Sequence, residues 1–131
     1  KVPDSHLVIV DKRRQAPNKA EVMNIIGDVN GLDCVIIDDI VDTAGTLTQA
    51  AKALKDAGAK NIYAYCTHAV LSKPALELIE ESEITQLTVS DSIPLNTKSK
   101  KSTKIRVLPL GGLLAETIKR VIAHQSVSEL F

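Results

Sequence analysis

The feature that most constrains the fold of this chain is a helical repeat that directly follows an apolar run. From Thr46 to Ala57 the apolar residues recur at helical spacing, and Gly58 is a typical helix stop. The run Val35 to Ile37 predicts a buried strand before this helix. Other short apolar runs predict strands at Leu7 to Val10, Val22 to Val29, Ile62 to Cys66, Leu87 to Val89 and Ile105 to Leu108, and two further helices after Pro74 and Gly112. Strands that alternate with helices predict an α/β fold with a mainly parallel sheet and helices on both faces.

Composition narrows the class of protein. The 131 residues suffice for one domain with a hydrophobic core. Lys plus Arg and Asp plus Glu both number 16, so overall charge gives no reason to expect nucleic acid or a membrane surface as a partner. No apolar stretch approaches the roughly 20 residues of a membrane span. Cys34 and Cys66 lie in apolar runs without metal-ligand spacing, so we expect part of a cytoplasmic protein.

The segment between the predicted strand and helix has the composition of an anion-binding turn. Ala44 and Gly45 have little or no side chain, so backbone N–H groups can approach a ligand closely, and Thr43 and Thr46 add hydroxyl donors. The helix that follows directs the positive end of its dipole at the same place. These residues predict a phosphate site.

Three acidic residues, Asp38, Asp39 and Asp42, immediately precede this turn. Carboxylates beside a phosphate repel it unless sugar hydroxyls or a divalent cation compensate, and carboxylate oxygens suit both. A ribose 5-phosphate group matches the pattern, with its hydroxyls toward the acids and its phosphate toward residues 43–46. The alternative is a turn in which Asp or Thr serves only as a helix cap.

The nine residues Asp-Asp-Ile-Val-Asp-Thr-Ala-Gly-Thr, at 38–46, resemble the phosphoribosyl diphosphate motif of the type I phosphoribosyltransferase fold. Within that superfamily they are most similar to the motif of ribose-phosphate pyrophosphokinases. The resemblance implies that residues 1–131 are most of a C-terminal phosphoribosyltransferase-like domain, and that an N-terminal domain and the start of this domain are absent. It assigns no metal ligand within this segment.

A basic cluster, Asp11-Lys12-Arg13-Arg14, is predicted to follow the first strand, at the edge where the phosphate turn opens if the strands are parallel. The alternative is a solvated surface cluster. The cluster and residues 21–27 are similar to the mobile catalytic loop of the same enzymes, although Gln15 stands where that family usually has Pro. The resemblance implies that Lys12 and Arg14 stabilise the transition state and that Arg14 also lies near the sugar phosphate.

Further resemblances to this family occur at residues 66–68, 70–72, 91–95, 113–116 and 126–131. Within them we interpret His68 as an ordinary loop or core histidine. At the C-terminus, the resemblance implies that Ser126, Ser128 and Phe131 belong to a regulatory phosphate or nucleotide site between subunits.

The resemblance implies an enzyme of nucleotide biosynthesis. With Mg²⁺, the full-length protein would transfer diphosphate from ATP to the C1 hydroxyl of ribose 5-phosphate, giving 5-phosphoribosyl 1-diphosphate and AMP, and the segment alone would be inactive. The family also implies a homo-oligomer, expected to be a hexamer. Two alternatives remain: a nucleobase phosphoribosyltransferase and a non-catalytic, synthetase-associated regulatory subunit.

Overall fold

The computed structural model describes residues 6–13 and 22–130 of the chain. In these ranges the strands are β1 (Ile9–Arg13), β2 (Val22–Ile26), β3 (Asp33–Val41), β4 (Asn61–Ala69), β5 (Gln86–Ser90) and β6 (Ile105–Leu108), and the helices are α1 (Gly45–Asp56), α2 (Ala75–Glu81) and α3 (Gly111–Ile122). Short 3₁₀ turns occupy Ser99–Lys101 and Ser128–Leu130. Among the described residues, no helix has the length and apolar character needed to cross a bilayer.

A four-stranded parallel sheet in the order β3-β4-β5-β6 forms the centre of the molecule. Each strand pairs with the next one along the chain, and α1 and α2 form the first two crossovers. The predicted α/β fold is therefore confirmed. Because the strands are parallel, the residues that follow β3, β4 and β5 all lie at one edge of the sheet, where ligands bind in such folds.

One hydrophobic core lies between this sheet and the two crossover helices. Both the helices and the sheet contribute buried side chains to this core. Examples are Ala51 and Leu54 of α1, Ile79 of α2, and Ile62 and Leu87 of the sheet. The alternation of buried and exposed residues along β4 follows from the period of two in a strand, which places Ile62, Ala64 and Cys66 on the core face. The core anchors β3 and α1, the two elements that flank the predicted phosphate turn.

The opposite face of the sheet is open at β3, in contrast to β5, whose residues 87–90 are buried on both faces. Ile37 is 81% exposed and Val35 56% exposed, although both lie on the strand of the predicted site. Helix α3 forms where the sequence predicts a helix, but none of its residues is buried, and Ile118 and Ile122 are among its exposed apolar side chains. The apolar pattern of α3 thus predicts the helix correctly without telling which surface covers it.

The first two strands differ from the prediction. β1 pairs with β2 in an antiparallel ribbon, with Lys12 opposite Met23, and this ribbon is separate from the parallel sheet. The basic cluster was expected in a loop after the first strand, but residues 11–13 belong to β1 itself. The argument that the cluster shares the carboxyl edge of the parallel sheet was therefore wrong. An apolar run of four residues does not reveal its pairing partner, which is why the sequence suggested a parallel strand.

Candidate sugar phosphate site

The predicted phosphate turn joins the end of β3 to the start of α1. β3 runs through Asp38 and Asp39 to Val41, so these two acids lie inside the strand and not after it. Ala44 has φ 63° and ψ 2°, the left-handed conformation, and it is the N-cap of α1. A left-handed residue at this point turns the chain sharply from the strand into the helix. Ala44 is only 5% exposed, so this position has room for a small side chain.

The first turn of α1 has free amides. The first helical hydrogen bond recorded at this end runs from the N–H of Thr48 to the carbonyl of Ala44, at 2.9 Å. The N–H groups of Gly45, Thr46 and Leu47 precede it and have no partner within the helix. Among the described residues, no side chain caps this end of α1. The Asp and Thr residues before the helix therefore do not act as its cap, and the amides are available to an anion.

Gly45 has no structural reason to be glycine in the described part of the chain. Its φ is not in the positive range, and a Cβ built on it would have only the Thr43 Oγ1 near it, at 3.9 Å, which is an ordinary contact. Glycine is the residue that permits a ligand to approach the backbone closely. The absence of a side chain at Gly45 thus fits a ligand that occupies the space in front of it.

The three predicted acids lie just before this turn. Asp38 is half-buried, and Asp39 and Asp42 are exposed, so none of them lies in the core. Asp38 and Asp39 are consecutive in β3, and Asp38 is opposite Cys66 of β4. One oxygen of Asp39 accepts a hydrogen bond from the N–H of Ile40 at 2.8 Å. Among the side chains that the structure describes, no Lys or Arg is within ion-pair distance of these carboxylates.

Strand β4 supports the turn from the side. The N–H groups of Val70 and Leu71 both donate to the carbonyl oxygen of Val41, at 3.0 and 3.2 Å. The thiol of Cys66 donates to the carbonyl oxygen of Asp39 across 3.6 Å. The backbone on either side of Ile40 is therefore held by β4 and by the two residues that follow it. The sequence identified Cys66 as a core residue, which is correct, but its contact with Asp39 depends on strand register and has no sequence signal.

Burial and charge both act on the Cys66 thiol. Burial raises its pKa, hydrogen bonds with the backbone of Val41 and His68 oppose that rise, and the carboxylates of Asp38 and Asp39 raise the pKa further. The thiol is therefore neutral at physiological pH. A neutral thiol is a donor, as its contact with the Asp39 carbonyl requires.

A second unpredicted residue strengthens the turn from within α1. The hydroxyl of Thr48 donates to the carbonyl oxygens of Ala44 and Gly45, at 3.0 and 3.1 Å. These bonds occupy the carbonyl side of the turn and leave the N–H side open. A Thr in the first turn of a helix commonly donates to the carbonyl three or four residues before it. The position of Thr48 two residues after Thr46 could therefore have predicted this contact from the sequence.

The remaining predicted site residues lie elsewhere. Only the backbone of Lys12 is described, in β1, while Arg14 and Phe131 lie outside the described residues. Ser126 and Ser128 are exposed near the C-terminus, with their hydroxyls 2.9 Å apart. Arg120 fixes this segment, since its Nη1 donates to the carbonyl of Ser126 at 2.9 Å and to the carboxylate of Glu129 at 3.2 Å.

A cleft of about 350 Å³ lies between α2 and the loop after β5. Its lining residues are Leu71, Lys73, Leu76, Glu77, Asn96, Thr97 and Lys98. None of the predicted site residues in the described ranges lines this cleft. The phosphate turn is an open helix terminus at the sheet edge. It is therefore identified as a candidate site by its free amides and acidic residues, and not by the presence of a cleft.

Comparison with known proteins places these features in a family. The model of the phosphoribosyl synthetase-associated domain matches residues 4–131. The chain belongs to this family. Its relatives include the ribose-phosphate pyrophosphokinases of Coxiella burnetii and Bordetella pertussis, each 55% identical over 128 residues, which is 98% of this chain and 40% and 41% of theirs. The chain thus spans about two fifths of the length of these relatives.

A solved structure supports the same family and fold. The phosphoribosylpyrophosphate synthetase from Mycobacterium smegmatis superposes with a TM-score of 0.72 at 34% sequence identity. The match covers 79% of this chain and 34% of that protein. The resemblance of residues 38–46 to the motif of ribose-phosphate pyrophosphokinases is therefore confirmed at the level of the family.

Proposed function

We propose that residues 38–46 bind ribose 5-phosphate and that the whole protein transfers a diphosphate group from ATP to its C1 hydroxyl. The observation that carries this proposal is the uncapped first turn of α1, with free amides at Gly45 and Thr46 directly after three carboxylates without a cationic partner among the described side chains. A phosphate satisfies the amides, and sugar hydroxyls satisfy the carboxylates. Membership of the family supports the assignment of the reaction.

Different residues of this segment bind different groups of the ligand. The amides of residues 44–46 and the hydroxyls of Thr43 and Thr46 hold the 5-phosphate, assisted by the helix dipole. Asp38, Asp39 and Asp42 accept hydrogen bonds from the ring hydroxyls and so orient the sugar. In the transfer, the C1 oxygen bonds to the β-phosphorus of ATP, the bond from that phosphorus to the bridging α-oxygen breaks, AMP leaves and the hydroxyl releases its proton.

Charge neutralisation is the role that we assign to the basic cluster. The transferred group carries negative charge on its nonbridging oxygens, and Lys and Arg lower the free energy of such a transition state more than that of the ground state. Lys12 and Arg14 take this role, and Arg14 also contacts the sugar phosphate. Lys12 lies on a two-stranded ribbon outside the main sheet, and Val10 and Ile25 of this ribbon pack against the core.

Mg²⁺ is the metal that we propose for this reaction, since carboxylate and phosphate oxygens are its preferred ligands. Among the described residues, no group of three or more His, Cys, Asp or Glu side chains is arranged to hold a metal by itself. The ion would therefore be held largely by the substrate phosphates, whose charge it neutralises.

The rest of the protein would complete the enzyme. The relatives are longer than this chain, and the exposed side chains of Ile37 on β3 and of Ile118 on α3 offer apolar surface on which further elements can pack. We propose that these elements include an N-terminal domain that binds ATP, and that the protein is a cytoplasmic homo-oligomer, expected to be a hexamer. Ser126, Ser128 and Phe131 would then contribute to a regulatory site between subunits.

The decisive experiment is an assay of the full-length protein with ATP, ribose 5-phosphate and Mg²⁺ that detects AMP. The proposed enzyme forms AMP only when all three are present. A nucleobase phosphoribosyltransferase would form no AMP and would instead release diphosphate when given a nucleobase and phosphoribosyl diphosphate. A non-catalytic subunit, the reading that the name of the matched domain family favours, would bind ribose 5-phosphate without forming AMP.

Binding measurements test the site itself. Asp42→Ala and Thr46→Ala are expected to weaken ribose 5-phosphate binding to the full-length protein by about tenfold each, because each removes a hydrogen bond to a charged or polar ligand group. Asp56→Ala, at the exposed opposite end of α1, is the matched control. Wild-type affinity in both site variants, measured by calorimetry, contradicts the assignment.

The basic cluster requires a kinetic test. Lys12→Ala should depress turnover at saturating substrate far more than it changes the affinity for ribose 5-phosphate, because its charge acts on the transition state. Lys52→Ala, an exposed lysine of α1, serves as the control. An unchanged turnover number for Lys12→Ala removes the residue from catalysis.

A further inference from the structure

His68 lies beside the phosphate turn and has no role in the function proposed above. It is exposed on β4, directly opposite Ile40 of β3. The chain on both sides of it is tied to the turn: Cys66 bonds to the carbonyl of Asp39, and Val70 bonds to the carbonyl of Val41. The histidine is therefore held next to the acid-bearing segment. It is neither a core residue nor part of a free loop, contrary to the sequence-based interpretation.

The ring of His68 is held by a hydroxyl network at the ends of β4 and β5. Its Nδ1 lies 3.0 Å from the Oγ of Ser92. The hydroxyl of Ser92 donates to the carbonyl oxygen of Thr67 at 2.8 Å, and the hydroxyl of Ser90 donates to the same oxygen at 2.6 Å. The N–H of Ser92 in turn donates to the Oγ of Ser90 at 3.1 Å.

This network fixes the tautomer of the imidazole. The Thr67 carbonyl can only accept, so we assign the one hydrogen of the Ser92 hydroxyl to that 2.8 Å contact, and the Ser92 Oγ then accepts from His68. Nδ1 therefore carries the proton, and in the neutral ring Nε2 has a free lone pair. Among the described residues, none is recorded as a partner of Nε2. An oriented, exposed ring nitrogen with a lone pair is an acceptor for a hydroxyl donor.

We propose that His68 is a further substrate-binding residue, whose Nε2 accepts a hydrogen bond from a ring hydroxyl of the pentose phosphate. The proposal rests on the function proposed above and adds a contact from β4 to a site otherwise built by β3 and α1. Ser92 is the positioning residue, because it determines which nitrogen faces the ligand. Together they add a contact with a sugar hydroxyl from the strand next to the one that carries the acids.

Two nearly isosteric variants separate the ring nitrogens. The amide nitrogen of Asn reaches the place of Nδ1, so His68→Asn can keep the bond to Ser92 while it removes the acceptor at Nε2. The amide of Gln reaches the place of Nε2, so His68→Gln can restore that acceptor. We expect His68→Asn to weaken ribose 5-phosphate binding about fivefold to tenfold, as for one lost hydrogen bond, and His68→Gln to retain most of the affinity.

Deoxy analogues identify the contacted hydroxyl. Calorimetry on the full-length protein would compare ribose 5-phosphate with its 1-deoxy, 2-deoxy and 3-deoxy forms in the wild type and in His68→Asn. If Nε2 contacts one hydroxyl, the analogue without that hydroxyl binds both proteins equally, while the other ligands bind the variant more weakly. Ser92→Ala should give a smaller loss with the same ligand pattern, since the ring remains but loses its orientation.

The outcomes are distinct. A loss in His68→Asn that is the same for every ligand overturns the hydroxyl contact and leaves only a general structural effect. Unchanged affinity in His68→Asn, alongside weakened binding in Asp42→Ala, overturns the His68 inference and leaves the proposed site intact. Absence of ribose 5-phosphate binding in the wild type overturns both.

Discussion

The Sγ of Cys66 lies 3.6 Å from the carbonyl oxygen of Asp39, so a core thiol supports the backbone of a predicted ligand-binding acid. The two residues are on neighbouring parallel strands, and Cys66 is opposite Asp38 in the register. The contact links the packed interior of the sheet to the edge where the turn opens. It also places a titratable thiol beneath two carboxylates.

The thiol should be unreactive at moderately alkaline pH. Burial raises the pKa of Cys66, and burial followed by the charge of Asp33 raises that of Cys34. At pH 8 we therefore expect both thiols to react with iodoacetamide at least several-fold more slowly in the folded protein than in the same protein in denaturant, because the thiolate is the reactive form. Equal rates in the two states would contradict this expectation.

The same shifts predict a pH dependence of stability. The folded state retains the thiol protons to higher pH than the unfolded state does. The resulting stabilisation is complete below the unfolded-state pKa of cysteine and is lost as pH rises through the folded-state pKa. Denaturant titrations above pH 8 should show the free energy of unfolding falling with pH, and the fall should be smaller in Cys66→Ala.

Gly45→Ala should separate ligand binding from folding. The added Cβ has room in the protein and lies at a helical position, so the free energy of unfolding should stay equal or rise by less than about 1 kcal/mol. The methyl group would occupy the space of the bound phosphate, so we expect at least a tenfold loss of ribose 5-phosphate affinity by calorimetry, roughly 1.4 kcal/mol or more. Gly112→Ala, in the first turn of α3 and also without close neighbours, is the control. Undiminished affinity in Gly45→Ala would exclude close approach of a ligand at this point.

The hydroxyl of Ser99 should be a defect in the folded protein. Ser99 is 1% exposed, and its Oγ has no hydrogen-bond partner among the described residues. Ser99→Ala should therefore raise the free energy of unfolding by about 1 kcal/mol, since it removes a desolvated polar group. Ser102→Ala should lower it by a similar amount, because that hydroxyl bonds to Glu80 and accepts from the N–H of Lys104. Destabilisation by Ser99→Ala in urea titrations would show that its hydroxyl has a partner.

Gly58 and Gly31 offer a matched pair for backbone strain. Both have positive φ, 96° and 72°, but a Cβ on Gly58 would lie 2.5 Å from the Asn30 Oδ1, whereas a Cβ on Gly31 would meet nothing within 4 Å. Gly31→Ala should cost about 1 kcal/mol from strain alone, and Gly58→Ala about 2–3 kcal/mol because the contact with Asn30 is added. Equal losses in thermal or urea unfolding would mean that Asn30 moves aside freely.

The sequence predicted the local part of this structure well. The helix of residues 45–56 and its stop at Gly58 follow from short-range periodicity, and the turn between β3 and α1 follows from residue types that are adjacent in the chain, while its binding of phosphate stays a prediction. The contacts that depend on pairing were not predictable in the same way. The antiparallel partner of β1, the bond from Cys66 to Asp39, and the position of His68 beside Ile40 are set by strand register, which composition does not encode.

The surroundings of α3 show a different limit. Its apolar side chains predicted the helix, but Ile118 and Ile122 remain exposed, since an amphipathic pattern specifies a buried face without naming the element that buries it. The free amides at Gly45 show a similar limit, because residue types alone do not tell whether a helix end is capped by a side chain. A cap by Asp or Thr was a reasonable alternative on residue types alone, and it was excluded because the N-cap is Ala44 and no side chain makes a capping hydrogen bond there.

Apart from Arg14, all of the proposed phosphate and acid ligands come from nine consecutive residues, 38–46. Their spacing is consequently insensitive to lengthening or shortening of the chain elsewhere. A residue inserted in the loop of residues 96–98 would leave every distance within the turn unchanged, whereas deletion of one residue between Asp42 and Gly45 would shift which amide meets the anion. Natural length variants should therefore accumulate in the loop of residues 96–98 and be absent between Asp42 and Gly45.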